Sequence, residues 1–551
     1  VLFLGAVKEG YGQVPIYPIR VYTSDNVDGA TNALNGTTNA ATLRAWPGAA
    51  LALGKYNGKL GLEFDTDIQA NRTSFVRIGA ADEGLLDVLV GGTLSNLLTG
   101  LVDGLLLGNH HFTVTAFDGS TPIVSGNSQN GFGASNGRIR LIRNAAGHYI
   151  LAITPNQDYN RIYIQNQSDA AVGALAPVKR LNVYYAFHMN GVDPCGAPMG
   201  TSFDVSGVNL DLLELGGSPV DDIHLAIDGN PATYSGISPG VLSIAGNLQQ
   251  FFYFDGLGLA TDEVKVTLSA PPSVLDVDAL SNIRFVAYNG GAEVYNIDLE
   301  TLGSELLGLV QLDLLGLLSD GEPIELAVQP GVTFDRFEVR VNTLLGLGTG
   351  EDLRIHEVVR SAGRPVIAGV DAEQNVIVCA GTDVTLTAST ASGDLVRWYD
   401  VPSGGTPLSN TAGSSLFLGR VEMSDNGATY YAASVRSGCS EESLRVAVTL
   451  TVNPIPSITP SSTPIICEGD TEVALAFTNL NGNPNEYAIE WAEASVGFND
   501  VYWTILSSSP IMLDIPSTAT MGAYHGVLNV RNTTTGCESA AIPFFIEILP
   551  Q

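Results

Sequence analysis

Gly236-Ile237-Ser238-Pro239-Gly240 has the Gly-x-Ser-x-Gly spacing of a serine nucleophile elbow. Such an elbow works only where a strand turns sharply into a helix and lifts the hydroxyl above the sheet. Pro-Gly is a poor helix start, so a turn in a glycine-rich chain explains Ser238 better. His110 and His111 open the run Phe112-Thr113-Val114-Thr115-Ala116. On a strand, neighbouring side chains leave opposite faces, so these two rings cannot chelate one metal. The seven histidines are scattered, no His-Glu-x-x-His, P-loop or Cys-x-x-Cys occurs, and no carboxylate pair stands out among 57 Asp and Glu. No nucleophile, base and orienting partner can be assembled from these motifs. The expectation is a chain that binds and does not catalyse.

Calcium is the one cofactor these residues suggest. Asp228-Gly229-Asn230, with Asp221-Asp222 close in sequence, offers hard oxygens on a turn, the ligand type Ca²⁺ takes. An ordinary Asx turn is the alternative. Thr233 and Tyr234 complete this segment as candidate ligand contacts. Trp46, the sole tryptophan before residue 360, is the other aromatic candidate for stacking on a sugar. Tyr253, set in Phe251-Phe252-Tyr253-Phe254, reads as core.

Cys379 and Cys439 flank one segment, and Cys467 and Cys537 flank the next. One pair per module reads as structural disulfides in an oxidising, extracellular setting. Zinc is the alternative, without the spacing to support it. Cys195, in Asp193-Pro194-Cys195-Gly196, is left over as a free thiol, an intermolecular bridge, or half of a pair completed outside the chain.

The chain has 551 residues and a formal net charge of −32, with only 15% charged residues and 45% hydrophobic ones. Roughly 150 residues per domain suggests about four domains. Ample apolar surface excludes a disordered acidic tail. The acidity argues against nucleic acid, which is bound by Lys and Arg, and against docking on an anionic membrane. Leu85 to Leu107 is leucine-rich but broken by Asp87, Asn96, Asp103 and glycines, so no membrane-spanning helix is expected. The chain opens Val1-Leu2-Phe3-Leu4 without Met or a signal-peptide pattern, as a trimmed mature product would. Its close, Ile546 to Gln551, looks like a strand followed by a linker proline, so more chain is expected in the intact protein.

An internal repeat organises the first two thirds. Leu151-Ala152-Ile153-Thr154-Pro155 then Tyr159-Asn160-Arg161-Ile162 matches Leu326-Ala327-Val328-Gln329-Pro330 then Phe334-Asp335-Arg336-Phe337. Thr115-Ala116-Phe117-Asp118-Gly119 matches Val286-Ala287-Tyr288-Asn289-Gly290. Leu34-Asn35-Gly36 with Ala41-Thr42 matches Ile227-Asp228-Gly229 with Ala232-Thr233, and Phe64-Asp65 matches Phe254-Asp255. The blocks keep one order, which gives a short segment 1–19 and two modules at 20–187 and 203–360. Phe334 to Val341 alternates apolar and polar residues, the period of a half-buried strand, and a jelly-roll sandwich suits such a module. The Leu-Gly stretches Leu85–Leu107, Leu302–Leu318 and Leu344–Leu347 read as short helical turns or loops.

From Pro365 the texture turns to Thr, Ser and Val-rich strands. Two blocks of about 90 residues, 366–453 and 454–551, each hold a Cys near the start, a central tryptophan (Trp398, Trp491) and a Gly-Cys pair near the end. That is the size of an immunoglobulin-like sandwich, and the joint Asn453-Pro454-Ile455-Pro456 is short and stiff. The expected fold is all-β: tandem jelly rolls followed by two immunoglobulin-like sandwiches.

On Cys379-Ala380-Gly381, Cys467-Glu468-Gly469, Gly438-Cys439 and Gly536-Cys537, residues 366–551 resemble the immunoglobulin-like repeats of Bacteroidetes surface proteins exported by type IX secretion. The resemblance implies disulfides Cys379–Cys439 and Cys467–Cys537, each clasping an early strand to a late hairpin. On Asp228-Gly229-Asn230-Pro231-Ala232-Thr233-Tyr234, the first two modules resemble discoidin (factor 5/8 type C) jelly rolls, which implies carbohydrate or lipid binding. Asn35 replaces the Asp in the first copy, with two residues inserted before Ala41-Thr42, and the terminal cysteine pair of that family is absent.

These readings converge on an extracellular or outer-membrane-attached, non-enzymatic adhesin or a segment of an adhesive or motility fibre. Glycans are the expected ligand, with the immunoglobulin-like modules as spacers. Two alternatives belong to other classes: a carbohydrate-binding accessory region of a secreted polysaccharide-degrading enzyme, and a structural subunit that self-associates into a filament.

Overall fold

The structure is a computed structural model. It describes residues 14–48, 53–80, 83–90, 110–169, 177–191, 193–206, 220–238, 246–270, 280–307, 321–342, 353–409, 411–492 and 497–550. The described residues are nearly all β, with 54% strand and 7% helix. The chain divides into two compact units, one of residues 1–364 with 435–444, the other of 365–434 with 445–551.

The first unit contains the same eight-strand arrangement twice. In the first copy the strands are Ala41–Ala45, Gly58–Ile68, Ser74–Ala80, His110–Asp118, Thr121–Asn127, Tyr149–Ile153, Tyr159–Ser168 and Lys179–Met189. In the second they are Ser235–Ile237, Asn247–Tyr253, Glu263–Ser269, Ile283–Asn289, Ala292–Asp298, Ile324–Val328, Arg336–Asn342 and Leu353–Ser361. In both, the first, eighth, third and sixth strands form one sheet, and the second, seventh, fourth and fifth form the other. This is a jelly roll, two packed antiparallel sheets with Greek-key connections.

The pairing repeats the sequence blocks residue by residue. Arg161 lies opposite Glu63 and Phe117, and Arg336 lies opposite Tyr253 and Tyr288. Alternation explains the packing: Ile162 and Ile164 are fully buried, as are Phe337, Val339 and Val341, while the residues between them face away from that core. A further strand of the first copy, Ile139–Arg143, meets Gly200–Ser206 of the second at Arg143 and Thr201. The sheets on either side therefore fuse into one 12-stranded sheet.

The leucine-rich stretches begin as helices, Glu83–Val90 and Leu299–Leu307, which bury Leu86, Leu89, Leu299 and Leu302. Residues 91–109, 308–320 and 343–352, including Leu344–Leu347, lie outside the described residues. Among the described residues no helix is long and apolar enough to cross a membrane.

The second unit holds two sandwiches. In the first, Asn375–Cys379 runs parallel to Val446–Asn453, and Trp398 is fully buried between the sheets. In the second, Ile465–Cys467 runs parallel to Ile542–Leu549, and Trp491 packs on Phe498 and Phe544. Tyr524 hydroxyl donates to Thr520 carbonyl at 2.9 Å, the corner tyrosine of immunoglobulin-like sandwiches.

The cysteines pair differently from expectation. Cys195 is bonded to Cys439 and Cys379 to Cys537, so Cys379–Cys439 and Cys467–Cys537 are not formed, and Cys467 is free and exposed. The reason lies in where the hairpin 435–444 goes. It belongs to the first unit, where Arg436 donates to Pro194 carbonyl at 3.1 Å and pairs with buried Asp262. Leu444 N–H donates to Glu263 Oε1 at 2.6 Å. Cys439 is thereby set beside Cys195, with Cα atoms 5.2 Å apart. Cys195 is the partner that within-module pairing had left over.

Candidate functional site

The Asp228 loop is held mainly by its own atoms. The 3-10 helix Ile223–Ile227 ends on Asp228, whose Oδ1 accepts the Asn230 N–H at 2.9 Å. Thr233 hydroxyl lies 2.9 Å from Asp228 Oδ2, and Asn230 Oδ1 accepts the Ala232 N–H at 3.2 Å. Gly229 N–H donates to Glu357 Oε2 at 2.9 Å. Burial, with the nearby charges of Asp228 and Glu441, pushes the Glu357 carboxyl up to about 8, so it is largely protonated at neutral pH. Ca²⁺ takes six to eight oxygens, with charge supplied by ionised carboxylates. Here Asp228 and Asn230 already accept the loop's own donors. Among the described residues no group of three or more His, Cys, Asp or Glu is arranged to hold a metal. This donor set does not fit calcium.

Tyr234 follows the loop, with Arg354 4.8 Å over its ring and His356 at 5.5 Å, and stays 37% exposed. Trp46 closes the strand Ala41–Ala45 in the other sandwich, bridged to Tyr56 and tilted against its ring at 6.2 Å. The two rings occupy non-equivalent positions in different jelly rolls and are not brought together. Ser238 is buried just after the strand Ser235–Ile237, and Pro239 and Gly240 lie outside the described residues. His110 Nε2 meets Asn166 at 2.7 Å and His111 meets Asp169 at 3.7 Å, so the two rings have different partners.

A richer surface lies on the face of the fused sheet turned away from the main core. Phe75, Ile142, Ile150, Ala152 and Tyr253 form its buried floor, with Phe187, Met199 and Phe251 packed against them. Arg140 lies 4.6 Å over the Tyr253 ring. Arg336 lies 4.2 Å over Tyr288 and 5.2 Å from Phe251. Fully buried Glu338 accepts from Tyr288 hydroxyl and pairs with Arg340. Burial and the Glu338 charge raise the Tyr288 phenol well above its usual range, so it stays a hydrogen-bond donor.

Duplication supplies an internal comparison at this site. Arg161, the first-copy equivalent of Arg336, donates to Gly119 carbonyl at 2.5 Å and to Glu63 at 3.2 Å, and lies 4.8 Å over Tyr22. Burial opposes ionisation of Glu63, but hydrogen bonds from Arg161 and Arg20 hold its carboxyl below the usual range. The second copy has Tyr253 where Glu63 stands, so Arg336 lacks the carboxylate that Arg161 has. A guanidinium lying over two neighbouring rings sets a cation beside an aromatic surface. This arrangement suits hydroxyl-rich ligands with one apolar face.

Residues 365–454 match a family model described as an Ig-like domain, CHU_C associated. This stretch is an Ig-like module. Its buried Trp398 and the parallel pairing of Asn375–Cys379 with Val446–Asn453 belong to that module. No curated protein matches the chain. Among solved structures, the four N-terminal Ig domains of Dscam1 isoform 7.44 are similar at 16% identity and a TM-score of 0.17, over 39% of this chain and 57% of that one. Dpr11 IG1 bound to DIP-gamma IG+IG2 is similar at 18% identity and 0.18, over 34% and 98%. The titin domains z1z2 in complex with telethonin are similar at 14% identity and 0.15, over 34% and 98%. The chain thus spans a little over half of the Dscam1 segment, and likenesses at these scores say nothing about function.

The aromatic–arginine face escaped the sequence reading because its residues come from strands far apart in the chain. Tyr253 reads as core in an unbroken aromatic run. Duplication leads one to expect Arg161 and Arg336 in matching environments, each paired with an acid or backbone carbonyls. Arg161 is so paired, whereas Arg336 lies on aromatic rings instead. The usable signal was the repeat itself. The acid at Glu63 gives way to Tyr253 in the second copy, which removes the partner that Arg161 has.

Proposed function

We propose that the chain is an extracellular, non-enzymatic surface protein of adhesive type, exported by type IX secretion, that binds neutral glycans. The jelly-roll pair, read as discoidin-like, supplies the contact, and the Ig-like modules act as spacers. The observation that carries the proposal is Arg336, whose guanidinium lies over the neighbouring Phe251 and Tyr288 rings without the carboxylate partner that Arg161 has in Glu63. A sugar ring would lay its C–H face on the aromatics and accept hydrogen bonds from the guanidinium. Neutral glycans are favoured because a net charge of −32 repels polyanions. Type IX export and an outer-membrane setting are supported by the CHU_C-associated module, and an oxidising compartment by the two disulfides. The reading needs no calcium.

A glycan array probed with the 551-residue chain, with and without EDTA, beside a hydrolase panel on the same preparation, tests this. Retention of neutral oligosaccharides that EDTA leaves unchanged, with no turnover, is expected. An empty array, or turnover abolished by Ser238→Ala, would overturn it. Binding lost in Asp228→Ala or Tyr234→Ala but kept in Arg336→Ala would move the site to the loop.

A further inference from the structure

The arginine–aromatic pairing at Arg336 recurs along the same face of the fused sheet. The strands Arg336–Asn342, Asn247–Tyr253, Gly200–Ser206, Ile139–Arg143, Tyr149–Ile153, Ser74–Ala80 and Lys179–Met189 lie side by side in that order. Arg336 lies over Tyr288 and Phe251 near one end of this row. Arg140, three strands on, lies 4.6 Å over Tyr253. Arg77, two strands further, lies 4.5 Å over Tyr184 and 5.8 Å over Tyr185. Alternation puts these arginines on one face, because their chain neighbours Val76, Ile78, Ile139, Leu141 and Phe337 all enter the main core.

The fold holds these rings in place and joins the row across the two jelly rolls. Tyr253 hydroxyl lies 2.9 Å from Ser202 hydroxyl. A Cβ at Gly79 would come 3.1 Å from the Tyr184 ring, so glycine there lets the ring lie close against the sheet. Between Arg140 and Arg77 the floor is apolar, Ile150 and Ala152 with Phe75, and Phe187 packs on Phe75 at 5.2 Å. At the junction Gly200 packs on Ile142, where a Cβ would come 2.5 Å from Cδ1. The row therefore passes from one jelly roll to the other through direct contact.

Neighbouring strands are about 4.8 Å apart, so the five steps from Arg336 to Arg77 cover about 24 Å. An extended chain of pyranoses advances by roughly one strand spacing per ring, which places about six rings along the row. From this spacing we infer that the two jelly rolls form one binding site for a linear neutral oligosaccharide segment, held at Arg336, Arg140 and Arg77. Each station sets apolar ring surface for C–H groups beside guanidinium donors for hydroxyls. Sheet twist rotates each strand against the last, and rotation about glycosidic bonds lets a linear chain follow it. One station holds a sugar weakly, and linked contacts on one ligand add avidity as the chain lengthens. Chain length therefore sets affinity. The inference rests on the glycan reading above, and the two can fail separately.

The test is an array of neutral gluco-, manno-, xylo- and galacto-oligosaccharides of two, four and six units, probed with the 551-residue chain and with Arg77→Ala. In at least one series the hexasaccharide should bind about tenfold or more tighter than the disaccharide. Arg77→Ala should lose most of that gain and leave disaccharide binding within about twofold. Hexasaccharides bound no better than disaccharides would overturn the inference and leave the glycan reading standing. So would an Arg77→Ala chain, shown folded by its unfolding midpoint, that keeps the full gain. No retention at any length would remove both. The length series on the unaltered chain decides the matter even where Arg77→Ala does not fold.

Discussion

Arg161 donates to Glu63 Oε1 at 3.2 Å, whereas Arg336, its equivalent in the second jelly roll, lies 4.2 Å over the Tyr288 ring with Tyr253 in place of that acid. Duplicated strands thus carry one guanidinium spent on the fold and one left over. Arg161 shares Glu63 with Arg20, whereas Arg336 has no carboxylate partner, so the two positions should differ in stability. Arg161→Ala is expected to destabilise the first unit by about 2 kcal/mol, because Glu63 then keeps Arg20 as its one charged donor. Arg336→Ala should cost about 1 kcal/mol, a cation–π contact. Denaturant unfolding of both variants checks the ordering.

Glu263 gives the first unit a pH dependence. It is fully buried, and burial pushes its carboxyl up to about 7, against opposing help from Leu444 N–H, Arg364, Lys265 and Ser361. In the unfolded chain it sheds its proton near 4.5. Between those values the folded state binds more protons than the unfolded one, so stability falls as pH rises through the window. Glu357, pushed up to about 8, acts in the same direction. The full swing for Glu263 is on the order of 3 kcal/mol. Thermal unfolding should move to lower temperature between pH 5 and pH 8, and Glu263→Gln should flatten that slope.

The disulfides span 244 and 158 residues of chain. Closing long loops restricts the unfolded ensemble strongly, and loss of a native bridge typically costs about 2–5 kcal/mol. Cys379→Ser should therefore lower the denaturant midpoint of the second unit and leave the first unchanged, while Cys195→Ser should do the reverse. Equal effects of both variants on both units would contradict the observed pairing.

Trp398 is the largest fully buried side chain of the Ig-like module, and its indole N–H donates to Ser414 carbonyl at 3.2 Å. Trp398→Ala should cost about 3–5 kcal/mol through the cavity it leaves. Tyr502, 86% exposed on the strand Val501–Ile505, should tolerate Ala within about 0.5 kcal/mol.

Strand content was legible because alternation in segments such as Phe334–Val341 states which face is buried. Repetition located the two jelly rolls because Arg161 and Arg336 carry recognisable neighbours with them. Disulfide pairing was not legible. Spacing places Cys439 in a late hairpin of its own module, and only the packing of Arg436 on Asp262 shows where that hairpin goes. The aromatic–arginine face was hidden for a related reason, since Arg140 reaches Tyr253 only when two sheets fuse through Arg143 and Thr201. The Asp228 turn was visible in sequence, yet the commitment of its oxygens to Asn230 and Thr233 depends on backbone conformation.

Titration calorimetry of a neutral oligosaccharide retained on the array, against the unaltered chain, Arg336→Ala and Arg161→Ala, tests the central claim most directly. Arg336→Ala should weaken binding at least tenfold, and Arg161→Ala, if folded, should leave affinity unchanged. Equal affinity for the unaltered chain and Arg336→Ala would contradict the assignment of the binding face.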